Sequence, residues 1–298
     1  MPSAAEAEGG RGVLAHPRAG WLCPATGREL PQPELMRAMA ARRVVLLGET
    51  HDVAEIHRWQ LHVAAFLRLL RPSLAMGFEM FPLRVQPVLD AWVEGALDTA
   101  TFLARSDWDA VWGFDPALYL PLFHFCRQQR VKMLALNCHR PLVTRVGQVG
   151  WEAIPVGERD GVTPSAPASE AYRRYLAAIT GRFAGPARPE AMAPERFDRF
   201  VRAQQCWDRS FACRIADHLA AATDDPLVIG IIGRGHLEYG HGTPYQLRDL
   251  GIEDVAVLLP TTAAEHDAAE LAGIADAVFR LDVPEPPQPR RTQPRAAS

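Results

Sequence analysis

The sequence predicts an α/β fold: a largely parallel β-sheet flanked by helices, with a smaller helical cap subdomain. Three observations predict it. Six short apolar runs, rich in β-branched residues and bounded by polar or turn residues, read as buried parallel strands. Helical patterns of crossover length separate most of these runs. A chain of 298 residues that is 48% hydrophobic can bury one large core.

Residues 1–12 and the tail PEPPQPRRTQPRAAS, 284–298, are Pro-, Ala- and Arg-rich. Such segments build no core and are predicted to be disordered, leaving one domain over 13–283. The first strand is predicted at 44–47. Asp52 should then cap a helix with Glu55 as its acidic partner, and Ile56, Trp59, Val63, Phe66, Leu67 and Leu70 recur at helical spacing up to Pro72. Strands follow at 74–80 (LAMGFEM) and 131–137 (VKMLALN), with a helical insertion at about 82–126 marked by Trp92, Trp108, Trp112 and an Asp115-Pro116 helix start. A second insertion, about 141–222, holds a Pro/Gly/Ser loop, a helix near 169–180 and a long helix over 194–222. The two insertions together are expected to form the cap. Further strands are predicted at 227–232, 255–259 and 277–281.

The net charge of -3, with signs interspersed, presents no basic field for nucleic acid and no basic amphipathic helix for a membrane surface. No apolar run approaches a membrane span and MPSAAEAEGGRGVLAHP has no apolar signal core, so a soluble, cytoplasmic protein is expected. The five cysteines, Cys23, Cys126, Cys138, Cys206 and Cys213, form no C-x-x-C pair, and their odd number favours reduced thiols. Cys138 beside His139 reads either as a nucleophile pair or as a buried structural thiol.

The chemistry collects where the strands end. LLGETH (46–51) and IIGRGH (231–236) both run from a hydrophobic stretch into Gly-x-x-His, at Gly48 to His51 and Gly233 to His236. Glu49, His51 and Asp52 follow the first strand, and Glu79 ends the second. Asn137, His139 and Arg140 follow the third, Arg234 and His236 the fourth. In an open parallel sheet ligands bind outside the carboxyl ends of the strands, so these residues should share one rim. On the long helix the apolar stripe Phe197, Val201, Phe211, Ile215, Leu219 is completed by Gln204 and Asp208. A buried carboxylate there needs a cation, an arginine or the polar rim. Gln60 lies on the inner stripe of the first helix, and His57 at its edge.

Two histidines with carboxylates and an open position suit a catalytic divalent transition metal, with His51 and His236 as ligands. Glu49 or Glu79 would take a proton from bound water and Arg140 would hold an anionic oxygen. A metal-free Glu/His acid-base site needs the same residues. The chain has no H-E-x-x-H and no G-x-S-x-G elbow.

The segments VVLLGETHDVAEIHRWQ, GFEMF followed by Gln86, the stretch through Trp108 and Trp112, LALNCHR, AQQCWD and IIGRGHLEYGHGTP resemble, in order, the ChaN-like haem-binding uptake family. That family is related to the Tiki proteases and, more distantly, to erythromycin esterases. The resemblance spans roughly 20–282 and implies a parallel sheet with flanking helices. It implies that Glu49, His51, Glu79, Arg140 and His236 occupy positions around a shared pocket, metal-dependent in the Tiki relatives. It also implies haem as cofactor, bound in stacked pairs at a homodimer interface with a tyrosine among the ligands. Tyr119, His124, Tyr172, Tyr175, Tyr239 and His241 are the candidate axial groups. The function expected is haem or iron binding, with a metal-dependent ester or amide hydrolase as the alternative.

Overall fold

β-branched and leucine-rich runs form strands because their side chains pack well on both faces of a pleated sheet. The computed structural model describes residues 12–183 and 192–282; the expectations for the two tails fall on residues 1–11 and 283–298, outside the described ones. The strands are β1 (Val13–Ala15), β2 (Trp21–Leu22), β3 (Glu29–Leu30), β4 (Val44–Glu49), β5 (Leu74–Pro82), β6 (Lys132–Asn137), β7 (Leu227–Gly233), β8 (Val255–Thr261), β9 (Glu265–Asp267) and β10 (Ala277–Arg280). The main sheet has eight strands in the order β3-β2-β10-β8-β4-β7-β5-β6. The run from β10 to β6 is parallel throughout and consists of the six strands read from the sequence, while β2 and β3 extend one edge antiparallel. A separate antiparallel ribbon pairs β1 with β9.

The helices are α1 (Gln32–Ala40), α2 (Ala54–Leu70), α3 (Gln86–Val93), α4 (Thr99–Arg105), α5 (Trp108–Val111), α6 (Leu120–Gln129), α7 (Arg140–Val149), α8 (Glu170–Phe183), α9 (Pro194–Ala221), α10 (Thr243–Asp249) and α11 (Ala268–Leu271). Alternation along β4 sends Val45 and Leu47 to one face and Val44 and Leu46 to the other. The first face packs against Ile56, Trp59, Val63 and Leu67 of α2 and against Leu89, Trp92, Phe102 and Phe123 of the 82–126 segment. The second packs against Phe211, Ala212, Ile215 and Leu219 of α9. Each fully buried Leu, Ile or Phe contributes about 1.5–3 kcal/mol. The two insertions therefore lie on opposite faces of the sheet and approach each other over its carboxyl-end rim, where both line one pocket.

One predicted cap is displaced. Val53, not Asp52, is the N-cap of α2, and no side chain caps it; the chain makes a turn after β4, with Val53 N–H donating to Thr50 O at 3.3 Å, before the helix starts. Asp115 does cap, accepting from Ala117 N–H at 2.9 Å, but it opens a short 3-10 turn that precedes α6. All five cysteines are free thiols.

Candidate functional site

The pairing of β4 with β7 explains the repeated Gly-x-x-His. The strands are parallel neighbours in register Gly48↔Ile232 and Glu49↔Gly233, so the two turns leave the sheet side by side. His51 and His236 line one pocket of about 380 Å³ together with Glu79, Asn137, Cys138, Arg140 and the rings of Trp112, Trp207 and Phe211. Gly233 leaves room for both side chains: a Cβ there would lie 3.0 Å from His51 Cε1 and 3.3 Å from Glu79 Oε1 and would press on them.

Each imidazole rests on a buried carboxylate. His51 Nδ1 is 2.7 Å from Glu49 Oε1 and 3.5 Å from Glu79 Oε1. His236 Nδ1 is 2.9 Å from Asp208 Oδ1. The carboxylates are held in turn. Tyr119 donates its hydroxyl to Glu49 Oε1 at 3.1 Å, and His57 Nδ1 stands 3.3 Å from Glu49 Oε2. Tyr172 donates to Asp208 Oδ2 at 2.6 Å and Thr243 to Asp208 Oδ1 at 3.1 Å. Gly233 N–H donates to Glu79 Oε2 at 2.9 Å. Aromatic rings wall both imidazoles, with Trp112 4.8 Å from His51 and Phe211 5.4 Å from His236 between ring centroids.

The electrostatics separate the two glutamates. Burial pushes the Glu49 carboxyl up, but His57, His51 and the Tyr119 hydroxyl outweigh it and hold it below its ordinary value. Burial raises Glu79, the Glu49 charge adds to that, and it stays above its ordinary value. Two neighbouring carboxyls shifted in opposite directions, Glu79 lining the pocket and Glu49 behind His51, suit general acid-base work. For His236 burial acts downward, yet Asp208 prevails and the imidazole is raised. Burial and the adjacent carboxylates push the Tyr119 and Tyr172 phenols far above their usual range, so both remain donors.

Other expected site residues are placed as follows. Gln60 is buried behind the pocket, donating to Leu47 O at 3.2 Å and meeting His57 Nδ1 through its Oε1 at 3.1 Å. Arg234 turns aside to Glu238 at 2.5 Å. Gln204 is half-buried on α9 and is not among the residues lining the pocket. Asn137 donates to Glu79 O at 2.8 Å. Cys138 is 3% exposed and packs with Cys206 and Cys213. Tyr119, Tyr172 and Thr243 were missed as supports of the carboxylates, because their partners lie 70, 36 and 35 residues away in the chain.

One ligand atom each from Glu49, His51 and Glu79 lies within 4.8 Å of the others, a group able to hold a metal ion; His236 stands outside it. No helix among the described residues is long and apolar enough to cross a membrane.

The fold is that of an α/β protein whose pocket lies at the carboxyl rim of a parallel sheet, and comparison identifies the family. The model described as "Haem-binding uptake, Tiki superfamily, ChaN" matches residues 35–247, well over half of the chain, and the chain belongs to that family. The structure is similar to that of ChaN of Campylobacter jejuni, described with cofacial haem binding: TM-score 0.69, 20% identity, 88% of this chain and 96% of that one. It also matches the type III effector HopBA1 (TM-score 0.47, 12% identity, 83% of this chain and 91% of that one). The erythromycin esterase EreC in its open conformation matches with TM-score 0.45 and 11% identity over 80% of this chain and 76% of that one. At these identities the likeness is one of fold. No curated protein sequence matches the chain.

Proposed function

We propose that the chain is a haem-binding protein of the ChaN type, with His241 as the iron ligand within a half-buried cluster of Tyr175, Tyr239 and His241. The cluster is the observation that carries the reading. Tyr239 and His241 stack at 5.8 Å with planes 29° apart, and Tyr175 stands 5.8 Å from Tyr239 and 6.1 Å from His241. Tyr239 has φ of 57°, a backbone conformation uncommon outside glycine and concentrated at functional positions. Arg248, which donates to Gly240 O at 2.8 Å, and Arg174 lie near enough to act on His241 electrostatically, and cations there suit the acid groups of a haem.

The other axial candidates fit less well. Tyr119 and Tyr172 are buried with their hydroxyls on Glu49 and Asp208. Tyr175 and Tyr239 donate to Glu238 and to Glu270 O, at 2.7 and 2.8 Å. His124 packs on Trp92 at 5.1 Å, and the His241 ring makes no hydrogen bond among the described residues. Bound haem would supply an iron centre whose axial position an imidazole can take. A half-exposed cluster covers one face of such a ligand, and a second copy of the chain would cover the other.

Titration with haemin tests this. The protein should develop a shifted Soret band saturating at about one haem per chain; His241→Ala should lose it, and His51→Ala with His236→Ala should keep it. An unchanged free-haemin spectrum with the wild-type protein would reject the reading.

A second reading rests on a different observation, the grouping of Glu49, His51 and Glu79, one ligand atom of each lying within 4.8 Å of the others. These residues fit a divalent metal, which would activate water for hydrolysis of an ester or amide, with Glu79 as the proton carrier. Elemental analysis should then find a transition metal that is lost in His51→Ala. Retention of full metal content in that variant would exclude His51 as a ligand.

A further inference from the structure

We infer that the pocket selects a substrate bearing a carboxylate beside an acylated nitrogen, as in an N-acyl amino acid or a peptide C-terminus, with Arg140 selecting the carboxylate. This rests on the second, hydrolytic reading above. Asn137 donates its Nδ2 to Glu79 O at 2.8 Å. A carbonyl can only accept, so that bond fixes which way the amide points. Its Oδ1 is left as a buried acceptor with no hydrogen-bond partner among the described residues. Asn137 is among the residues lining the pocket, and a ligand N–H reaching this oxygen would supply the donor that it lacks.

Arg140 lies three residues further on, at the start of α7, exposed and lining the same pocket. Its guanidinium makes no ion pair or hydrogen bond among the described residues, whereas Arg84, the other arginine of the lining, faces Asp107 at 3.9 Å. A guanidinium fork matches a carboxylate with two parallel bonds. In an N-acyl amino acid the carboxylate and the N–H share one α-carbon, so Asn137 and Arg140 can take both. Trp112, Trp207 and Phe211 offer an apolar wall for the side chain. The reaction is balanced by water alone. Its oxygen bonds to the acyl carbon, the C–N bond breaks, and the nitrogen leaves as an amine carrying the proton, giving one acid and one amino acid.

Hippuryl-phenylalanine and its C-terminal amide separate the possibilities, with binding followed by calorimetry and cleavage by chromatography. The wild-type protein should bind the acid about tenfold more tightly than the amide, and Arg140→Gln should reduce affinity for the acid to that for the amide. Equal binding of both, binding of neither, or a preference that survives Arg140→Gln overturns the inference. Selective binding without cleavage supports the recognition and rejects the hydrolytic reading. Cleavage of both compounds at equal rates keeps that reading and overturns the selectivity.

Discussion

Asp208 Oδ1 and His236 Nδ1 meet at 2.9 Å, although one sits on the long helix α9 and the other in the turn after β7. The polar interruption in the helix's apolar stripe is therefore the anchor of a pocket imidazole. The contact also explains Gly242, where a Cβ would come within 2.5 Å of His236 O and 2.6 Å of Asp208 Oδ1.

Asp208→Asn should lower the titration of His236, because burial would then be opposed by Glu79 without the stronger Asp208 contribution. A histidine raised in the folded state adds stability that is fully present below its ordinary value of 6.5 and fades as pH rises through the raised one. The variant should lose that contribution and about 1–3 kcal/mol of buried hydrogen bonding. Histidine NMR titration and urea denaturation at pH 6 and 9 provide the check.

Tyr119→Phe removes a hydroxyl that reaches both Glu49 Oε1 and His51 O while keeping the ring packed. A loss of about 1.5–3 kcal/mol in denaturant unfolding is expected for a bond to a charged acceptor. A loss below about 0.5 kcal/mol would mean that the hydroxyl contributes little to holding Glu49.

The two site glycines should respond differently to alanine. At Gly242 the obstructing atoms include backbone, which cannot give way, so Gly242→Ala should destabilise the fold by about 1–3 kcal/mol or more. At Gly233 the nearest atoms belong to the side chains of His51 and Glu79, so Gly233→Ala should fold but displace both. Melting temperatures distinguish the two, and metal or ligand binding by Gly233→Ala should fall further than its stability.

These contrasts show what was legible beforehand. The six parallel strands stood out because buried parallel strands are continuous apolar runs, whereas β2 and β3 are two residues long and carry no periodicity. His51, Glu79 and His236 could be placed on one rim because strand ends converge whatever the strand order. Asp208 was visible as a misfit in an apolar stripe. Tyr119 and Tyr172 were not, because a tyrosine filling a core position looks the same whether or not its hydroxyl holds a carboxylate. Asp52 was misread as a cap because the turn leaving β4 takes up one more residue before α2 begins.

Away from the pocket, His16, one residue past β1, and His266, on β9, bring Nδ1 and Nε2 3.0 Å apart at the β1–β9 ribbon. Burial, with Arg280 acting in the same direction, lowers both imidazoles, so the fold takes up protons less readily than the unfolded chain. Stability from this pair is complete above about 6.5 and is lost as pH falls below it. The melting temperature should drop between about pH 7 and 5, and His266→Gln should flatten that dependence. An identical pH profile in the variant would remove the pair as its source.

The central claim is that haem iron is held by the cluster after the second Gly-x-x-His turn and not by the pocket histidines. A crystal structure of the protein with haemin measures this directly. The account predicts iron bonded to His241, with the macrocycle against Tyr175 and Tyr239. Iron bonded to His51 or His236, or haem absent from crystals grown in its excess, would contradict it.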